Sequence, residues 1–200
     1  SSVAREEWGP SLAAEMRRER MIAGMAIENI LNNISRLVKR PTTEVAHVSE
    51  VAEANKRFAP DAIVLSGTLR DFDYYKQSTL DSFGEFIRET NTPVLAICGG
   101  HQLVGLSFGA RVITLDKLEQ HEQRVQRTQE YQYRFIRITE PEDPIFTNIN
   151  CMEPTSPARI LRVWQNHGLQ LDRVPEGFKL LATSYLCRNQ MMVKRNDGQL

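Results

Sequence analysis

The chain has 200 residues, 41% of them hydrophobic and 25% charged, which suits one globular domain with a sizeable core and argues against disorder. Lys plus Arg equal Asp plus Glu at 25 each, so no net field draws the protein to nucleic acid or an acidic membrane, and small molecules or proteins are the expected partners. Three widely spaced cysteines, no signal-like segment in SSVAREEWGP and no apolar run near the ~20 residues that span a bilayer point to a reducing, cytoplasmic setting without disulfides or a membrane.

In chain order, Leu12, Met16, Met21, Met25, Ile30, Ile34 and Leu37 recur at helical spacing and predict a helix from Ser11 to about Lys39, ended by Pro41. Thr43 to Val48 reads as a short strand. Ser49 then suits the N-cap of a second helix whose apolar face carries Val51, Ala54 and Phe58, closed by Pro60. Asp61-Ala-Ile-Val-Leu-Ser66 is a short apolar run of the kind buried on both faces of a parallel sheet. Leu80, Phe83, Phe86 and Ile87 mark a third helix, and Pro93-Val-Leu-Ala-Ile97 is a second apolar strand leading into Cys98. Strand and helix alternate, which predicts an α/β fold with an open, mostly parallel sheet flanked by helices.

The second half is strand-rich, with predicted strands at Arg111 to Leu115, Tyr131 to Ile138, Ile160 to Trp164, Phe178 to Ala182 and Met191 to Val193. Between them, Asp116 to Glu130 is dominated by Glu, Gln and Arg and reads as a solvated loop. Trp164, Met191 and Met192 are expected in the core. No linker, repeat or low-complexity tract divides the chain, so residues 1–200 are expected to form one domain.

The chemistry concentrates at Cys98. A strand ending in a nucleophile, then Gly99 and Gly100, then an apolar helix (Leu103, Val104, Leu106) meets the demands of a nucleophile elbow, a sharp turn that small residues let close. At a helix N-terminus the free N–H groups favour thiolate, the attacking species. A buried core cysteine with glycines that merely turn the chain is the alternative. No Cys-x-x-Cys, His-x-x-x-His or acidic cluster has ligand spacing, so neither metal nor cofactor is expected.

Pro93-Val-Leu-Ala-Ile-Cys-Gly-Gly-His-Gln-Leu103 resembles the Gly-Ile-Cys-x-Gly-x-Gln signature of class I, triad-type glutamine amidotransferases. Asp61 to Gly67, Gln165-Asn-His-Gly168 and Pro175-Glu-Gly-Phe-Lys-Leu-Leu-Ala182 resemble further segments of that family, so the likeness extends from about Asp61 to Ser184. It implies a flavodoxin-like fold in which the Cys98 thiolate attacks the side-chain amide of glutamine, ammonia leaves, and water hydrolyses the glutamyl thioester. It further implies oxyanion donors at the N–H of Gly99 and in the Gly67-Thr68 turn, with Gln102, Asn166, His167 and Gly168 holding the substrate. Losing one oxyanion donor typically costs ~3 kcal/mol of transition-state stabilisation. The resemblance implies either a free-standing amidotransferase or one that supplies ammonia to a separate synthase subunit, and it does not identify the acceptor.

Two segments depart from the pattern. Thr68-Leu-Arg-Asp-Phe-Asp-Tyr-Tyr75 replaces the family's glycine- and proline-bearing loop, and β-branched Thr68 disfavours positive φ. The family's catalytic His-Pro-Glu is absent, since His47, His101, His121 and His167 are all followed by other residues. That motif normally follows a segment like Met191 to Leu200, and the family's first strand is hard to find before Ser11, so the domain is expected to be incomplete at both ends. A γ-glutamyl hydrolase of the same fold and a binding domain without turnover are the competing readings.

Overall fold

The computed structural model describes residues 10–68, 71–116, 128–147 and 159–195. The first half supplies the predicted helices: α1 (Pro10–Leu37), α2 (Val51–Phe58), α3 (Gln77–Glu89) and α4 (Gly99–Ser107). Helix α1 buries none of its described side chains, and Met21, Met25 and Leu37 are exposed. Helix α3 follows its apolar spacing and turns Phe83, Gly84 and Ile87 inward.

Strands β1 (Ile63–Leu65) and β2 (Val94–Ala96) pair in parallel, Ile63 opposite Val94 and Leu65 opposite Ala96. The remaining strands are β3 (Val112–Thr114), β4 (Glu130–Ile138), β5 (Ile160–His167), β6 (Leu169–Leu171), β7 (Lys179–Thr183) and β8 (Met191–Val193). These pair antiparallel: β3 with β6, and β5-β4-β7-β8 as a four-stranded sheet. Among the described residues parallel pairing is confined to β1 and β2, the strands that lead to the elbow.

Several expectations change. Thr43 to Val48 forms no strand; it runs irregularly into a 3₁₀ turn at Val48–Glu50. Ser49 lies inside that turn, and His47 caps it instead, its Nδ1 accepting from the Ser49 N–H. Strands β1 and β2 are only half buried, with Leu95 and Ile97 exposed, so the apolar runs do not mark strands covered on both faces. Glu130 opens β4 and is 4% exposed, against the expected solvated loop; residues 117–127 and Cys151 lie outside the described residues. Trp164 is 55% exposed rather than core, its ring meeting Tyr131 and Tyr133 edge-on on the open face of the sheet. The short strand β6 was not expected, since three residues are too few to show a period.

The main core joins α3 and α4 to β3 and β6 through Phe72, Phe83, Ile87, Leu103, Val104, Val112, Leu169 and Leu171. Burying a side chain such as Phe83 or Leu171 contributes about 1.5–3 kcal/mol. A second cluster of Ile138, Phe146 and Leu181 backs the four-stranded sheet. Its edge is tied by Asp143, which accepts from the Ile145 N–H and takes two hydrogen bonds from Arg195 at 2.6 and 2.8 Å. Those hydrogen bonds hold the Asp143 carboxyl below its usual range.

Helix α4 sits against β6 because Gly105 has no side chain: a Cβ there would lie 2.2 Å from Leu171 Cδ1. Leu171 is itself fully enclosed and cannot swing aside. Gly105→Ala is therefore expected to destabilise the fold by about 1–3 kcal/mol, read as a lower denaturant midpoint at unchanged slope, despite alanine's better helix propensity.

Candidate active site

Cys98 is the N-cap of α4 and has φ 53° and ψ −110°, a left-handed conformation that a non-glycine residue adopts only when its surroundings enforce it. The enforcement is local and backbone-made. Ile97 N–H donates to Leu65 O, Gly100 N–H reaches both Ser66 O at 3.0 Å and Ile97 O at 2.9 Å, and Gln102 N–H closes the first helical turn on Cys98 O. Gly99 and Gly100 each have a steric reason to be small. A Cβ on Gly100 would stand 2.7 Å from Leu65 Cβ, and one on Gly99 would stand 2.6 Å from the Thr68 backbone nitrogen. A Cβ on Gly67 would meet the Cys98 side chain, 3.7 Å from Sγ. The three expected oxyanion-loop residues, Gly67, Thr68 and Gly99, are thereby brought together around Cys98.

Thr68 keeps a negative φ, so its β-branched side chain is compatible with the loop, and its hydroxyl lies 2.9 Å from the Tyr75 phenol. The bulky run after the elbow loop thus packs back on it: Phe72 is buried in the core and Tyr75 contacts both Phe72 and Thr68.

The thiol itself departs from expectation. Cys98 is exposed as a residue, but desolvation around the sulfur pushes its pKa above the ordinary 9.0, and the Gly99 N–H that hydrogen-bonds it only partly offsets this. The helix N-terminus therefore does not outweigh the desolvation of the sulfur. Cys187 is buried, and desolvation together with the Glu130 charge pushes it up to about 12, consistent with an inert packing thiol.

Cys98, His101, Gln102, Asn166 and His167 line one cavity of about 670 Å³. Gln102 is buried and donates through Nε2 to Leu169 O at 3.0 Å, tying α4 to β6; it is neither a surface amide nor a helix cap. The Asn166-His167-Gly168 stretch is the end of β5 and its passage into β6, where Gly168 O accepts from the Leu115 N–H. It is not a turn. Asn166 stands exposed opposite Tyr131, and His167 points inward, its Nδ1 3.0 Å from Leu169 O.

His167 Nε2 lies 3.1 Å from Glu130 Oε2, an ion-pair contact off the line of a directed hydrogen bond. Burial works to raise the Glu130 carboxyl, but its contacts with His167 and with the Ser184 hydroxyl (2.7 Å), aided by the charges of His167 and Arg134, outweigh it and hold Glu130 below its ordinary range. His101 is driven down to about 4, first by desolvation and then by the neighbouring His167 charge, so at neutral pH its ring is neutral. Sequence reasoning assigned no role to Glu130 or His101. Glu130 could be found only through the β4–β5 register, which sets it opposite His167. Among the described residues no group of three or more His, Cys, Asp or Glu side chains has the geometry of a metal site.

A raised thiol pKa fixes the sign of a pH test. Carbamidomethylation of Cys98 by iodoacetamide, followed by peptide mass, is expected to be slow at pH 7 and to rise with a midpoint above 9, while Cys187 stays unmodified in the folded protein.

Comparisons with known proteins agree with this architecture. The model of the class-I glutamine amidotransferase family matches residues 25–199. A glutamine-hydrolyzing GMP synthase subunit of Thermococcus kodakarensis is 33% identical over 140 residues, covering 70% of this chain and 62% of that one. The glutamine-hydrolyzing GMP synthase of Vesicomyosocius okutanii is 27% identical over 145 residues, 72% of this chain but 24% of the relative. The chain thus spans less than two thirds of the length of either. Among solved structures, a GMP synthase subunit protein of Thermoplasma acidophilum aligns with a TM-score of 0.57 at 25% identity, covering 76% of this chain and 65% of that one. A glutamine amidotransferase from Thermotoga maritima, at 19% identity and a TM-score of 0.51, shares the fold, covering 77% of this chain and 69% of that one. With the family model spanning all of the elbow, the cavity and the four-stranded sheet, the chain belongs to the class-I glutamine amidotransferase family.

Proposed function

We propose that this chain is a glutaminase module that uses Cys98 to hydrolyse the side-chain amide of glutamine and hands the ammonia to a cytoplasmic synthase. The supporting observation is the elbow: a cysteine at φ 53° on a helix N-cap, with Gly67, Thr68 and Gly99 gathered around it and a cavity large enough for an amino acid beside it. In this reading the Cys98 sulfur attacks the amide carbon, and the oxyanion is met by the N–H groups of Gly99 and the Gly67-Thr68 turn. The amide nitrogen leaves as ammonia, and water cleaves the thioester to glutamate. Asn166 and the backbone of His167 and Gly168 hold the amino-acid end. Gln102 contributes by fixing α4 against β6, which sets the depth of the cavity.

The partner is a synthase that consumes ammonia. Support comes from the relatives, which are glutamine-hydrolyzing GMP synthases or subunits of one.

The thiol requires a base to lose its proton. The family resemblance assigns that task to a His-Pro-Glu motif, which the 200 residues do not contain. His101, held near 4, is too weakly basic to take a proton from a thiol above 9. The same two values favour a second reading, a domain that binds glutamine without turning it over.

The two readings separate in one assay. Ammonia release from glutamine by the 200-residue polypeptide is expected to depend on Cys98, disappearing in Cys98→Ala, and to be lower by roughly 10²–10⁴-fold than that of a triad-bearing amidotransferase, the usual contribution of a general base. Equal rates for wild type and Cys98→Ala, with glutamine still bound in calorimetry, would establish the binding domain instead.

A further inference from the structure

Helix α1 runs for 28 residues, about 42 Å, yet none of its residues joins either core cluster and none of its described side chains is buried. Asn33 and Ser35 spend their donors within the helix, on Asn29 and on Leu31 O. Most helical stability in proteins comes from packing an apolar face, and α1 has such a face. Ala23, Ile27, Ile30, Ile34 and Leu37 follow at intervals of four, three, four and three residues, with Leu31 and Val38 on one flank. That 3.5-residue repeat is the pattern of a helix packed lengthwise on another helix. Leu37 is 84% exposed and Val38 51%, while Glu28, Asn29, Asn32 and Arg36 fall on the opposite side of the helix, as does Met25.

The distribution of size along the seam identifies the second helix. Ala23, Gly24 and Ala26 make its N-terminal half narrow, and a Cβ on Gly24 would meet no atom within 4 Å. Leu31, Ile34 and Leu37 make its C-terminal half wide. A two-fold axis midway between Ile27 and Ile30 sets Ala23 opposite Ile34, and Ala26 opposite Leu31, of another copy of the same helix. Each narrow half then receives a wide one, so the surface is complementary to itself. Parallel pairing would instead stack Arg20 on Arg20 inside the seam.

We propose that α1 is a self-association surface, which pairs antiparallel with α1 of a second copy of this chain. Burying an aliphatic side chain removes about 60–120 Å² of apolar surface from water. Ile27, Ile30, Leu31, Ile34, Leu37 and Val38 of two copies therefore remove roughly 700–1,400 Å², which brackets the ~1,000 Å² that a specific interface needs. In this arrangement Arg20 comes opposite Leu37, where its aliphatic stem covers the end of the seam and its guanidinium reaches water. The pairing does not depend on the function proposed above.

The test is the particle mass of the full 200-residue chain, read by light scattering over a range of protein concentrations. The mass is expected to rise with concentration from 22.9 kDa to twice that value. Ile30→Glu is expected to hold it at 22.9 kDa throughout, whereas Met25→Glu, on the far side of the helix, leaves the dimer intact. Ala23→Leu and Ile34→Ala are each expected to weaken dimerisation by about tenfold or more in dissociation constant. Combining the two restores it, because these positions face each other across the axis. Should Ile30→Glu fail to fold, this exchange of Ala23 and Ile34 decides. A wild-type mass of 22.9 kDa at every concentration, equal dissociation in Met25→Glu, or no restoration in the double variant overturns the proposal. A monomer that binds anionic lipid vesicles, and loses them in Ile30→Glu, overturns it too and assigns the face to a membrane surface.

Discussion

The site depends on one strained residue. Cys98 holds φ 53° because four backbone hydrogen bonds and two close contacts leave it no alternative: β1 and β2 set Leu65 opposite Ala96 so that Ile97 N–H reaches Leu65 O, Gly100 locks onto Ser66 O against Leu65, and Gly99 closes on Thr68. A left-handed non-glycine residue costs of order 1–3 kcal/mol, so the conformation persists only while the surrounding pieces are all in place. This explains why the only parallel strand pair among the described residues is the one at the elbow. Its role is less to build a core, since Leu95 and Ile97 remain exposed, than to aim a sulfur atom.

The core is arranged to keep that sulfur next to the second half of the chain. Gly105 lets α4 lie directly on Leu171, and the buried amide of Gln102 ties the same helix to Leu169. Both contacts fall on β6, the short strand that continues from His167. The register of β4 with β5 then sets Glu130 opposite His167, and Ser184 reaches in from the end of β7. One cavity is thereby walled by α4 on one side and by the antiparallel sheet on the other, which joins two halves of unlike secondary structure at a single place.

The electrostatics of the cavity run against the first expectation of an activated nucleophile. Helix N-termini favour anions, yet the desolvation that accompanies the tight glycine packing acts more strongly on Cys98 and keeps the thiol protonated. The same low polarity drives His101 down to about 4, while contacts with His167 and Ser184 outweigh burial and hold the Glu130 carboxyl below its ordinary range.

By itself the sequence determined the elbow, the helices α1 to α4 and most strands, because these depend on short-range signals: helical spacing at Leu80, Phe83 and Ile87, an apolar run ending in Cys98, and Gly99 and Gly100 directly after it, where any side chain would collide. It also carried the family, through an uninterrupted motif around Cys98. Tertiary structure alone decided what depends on contacts between distant segments. Glu130 looked like part of a charged loop until the β4 register buried it against His167, and the tie of the Gln102 amide to Leu169 O was visible only once α4 settled on β6. Trp164 looked like core, and the open face of β5 left it exposed. The protonation of Cys98 and His101 belongs to the same class, since a pKa is set by the water that packing removes, and no local pattern of residues records how much that is.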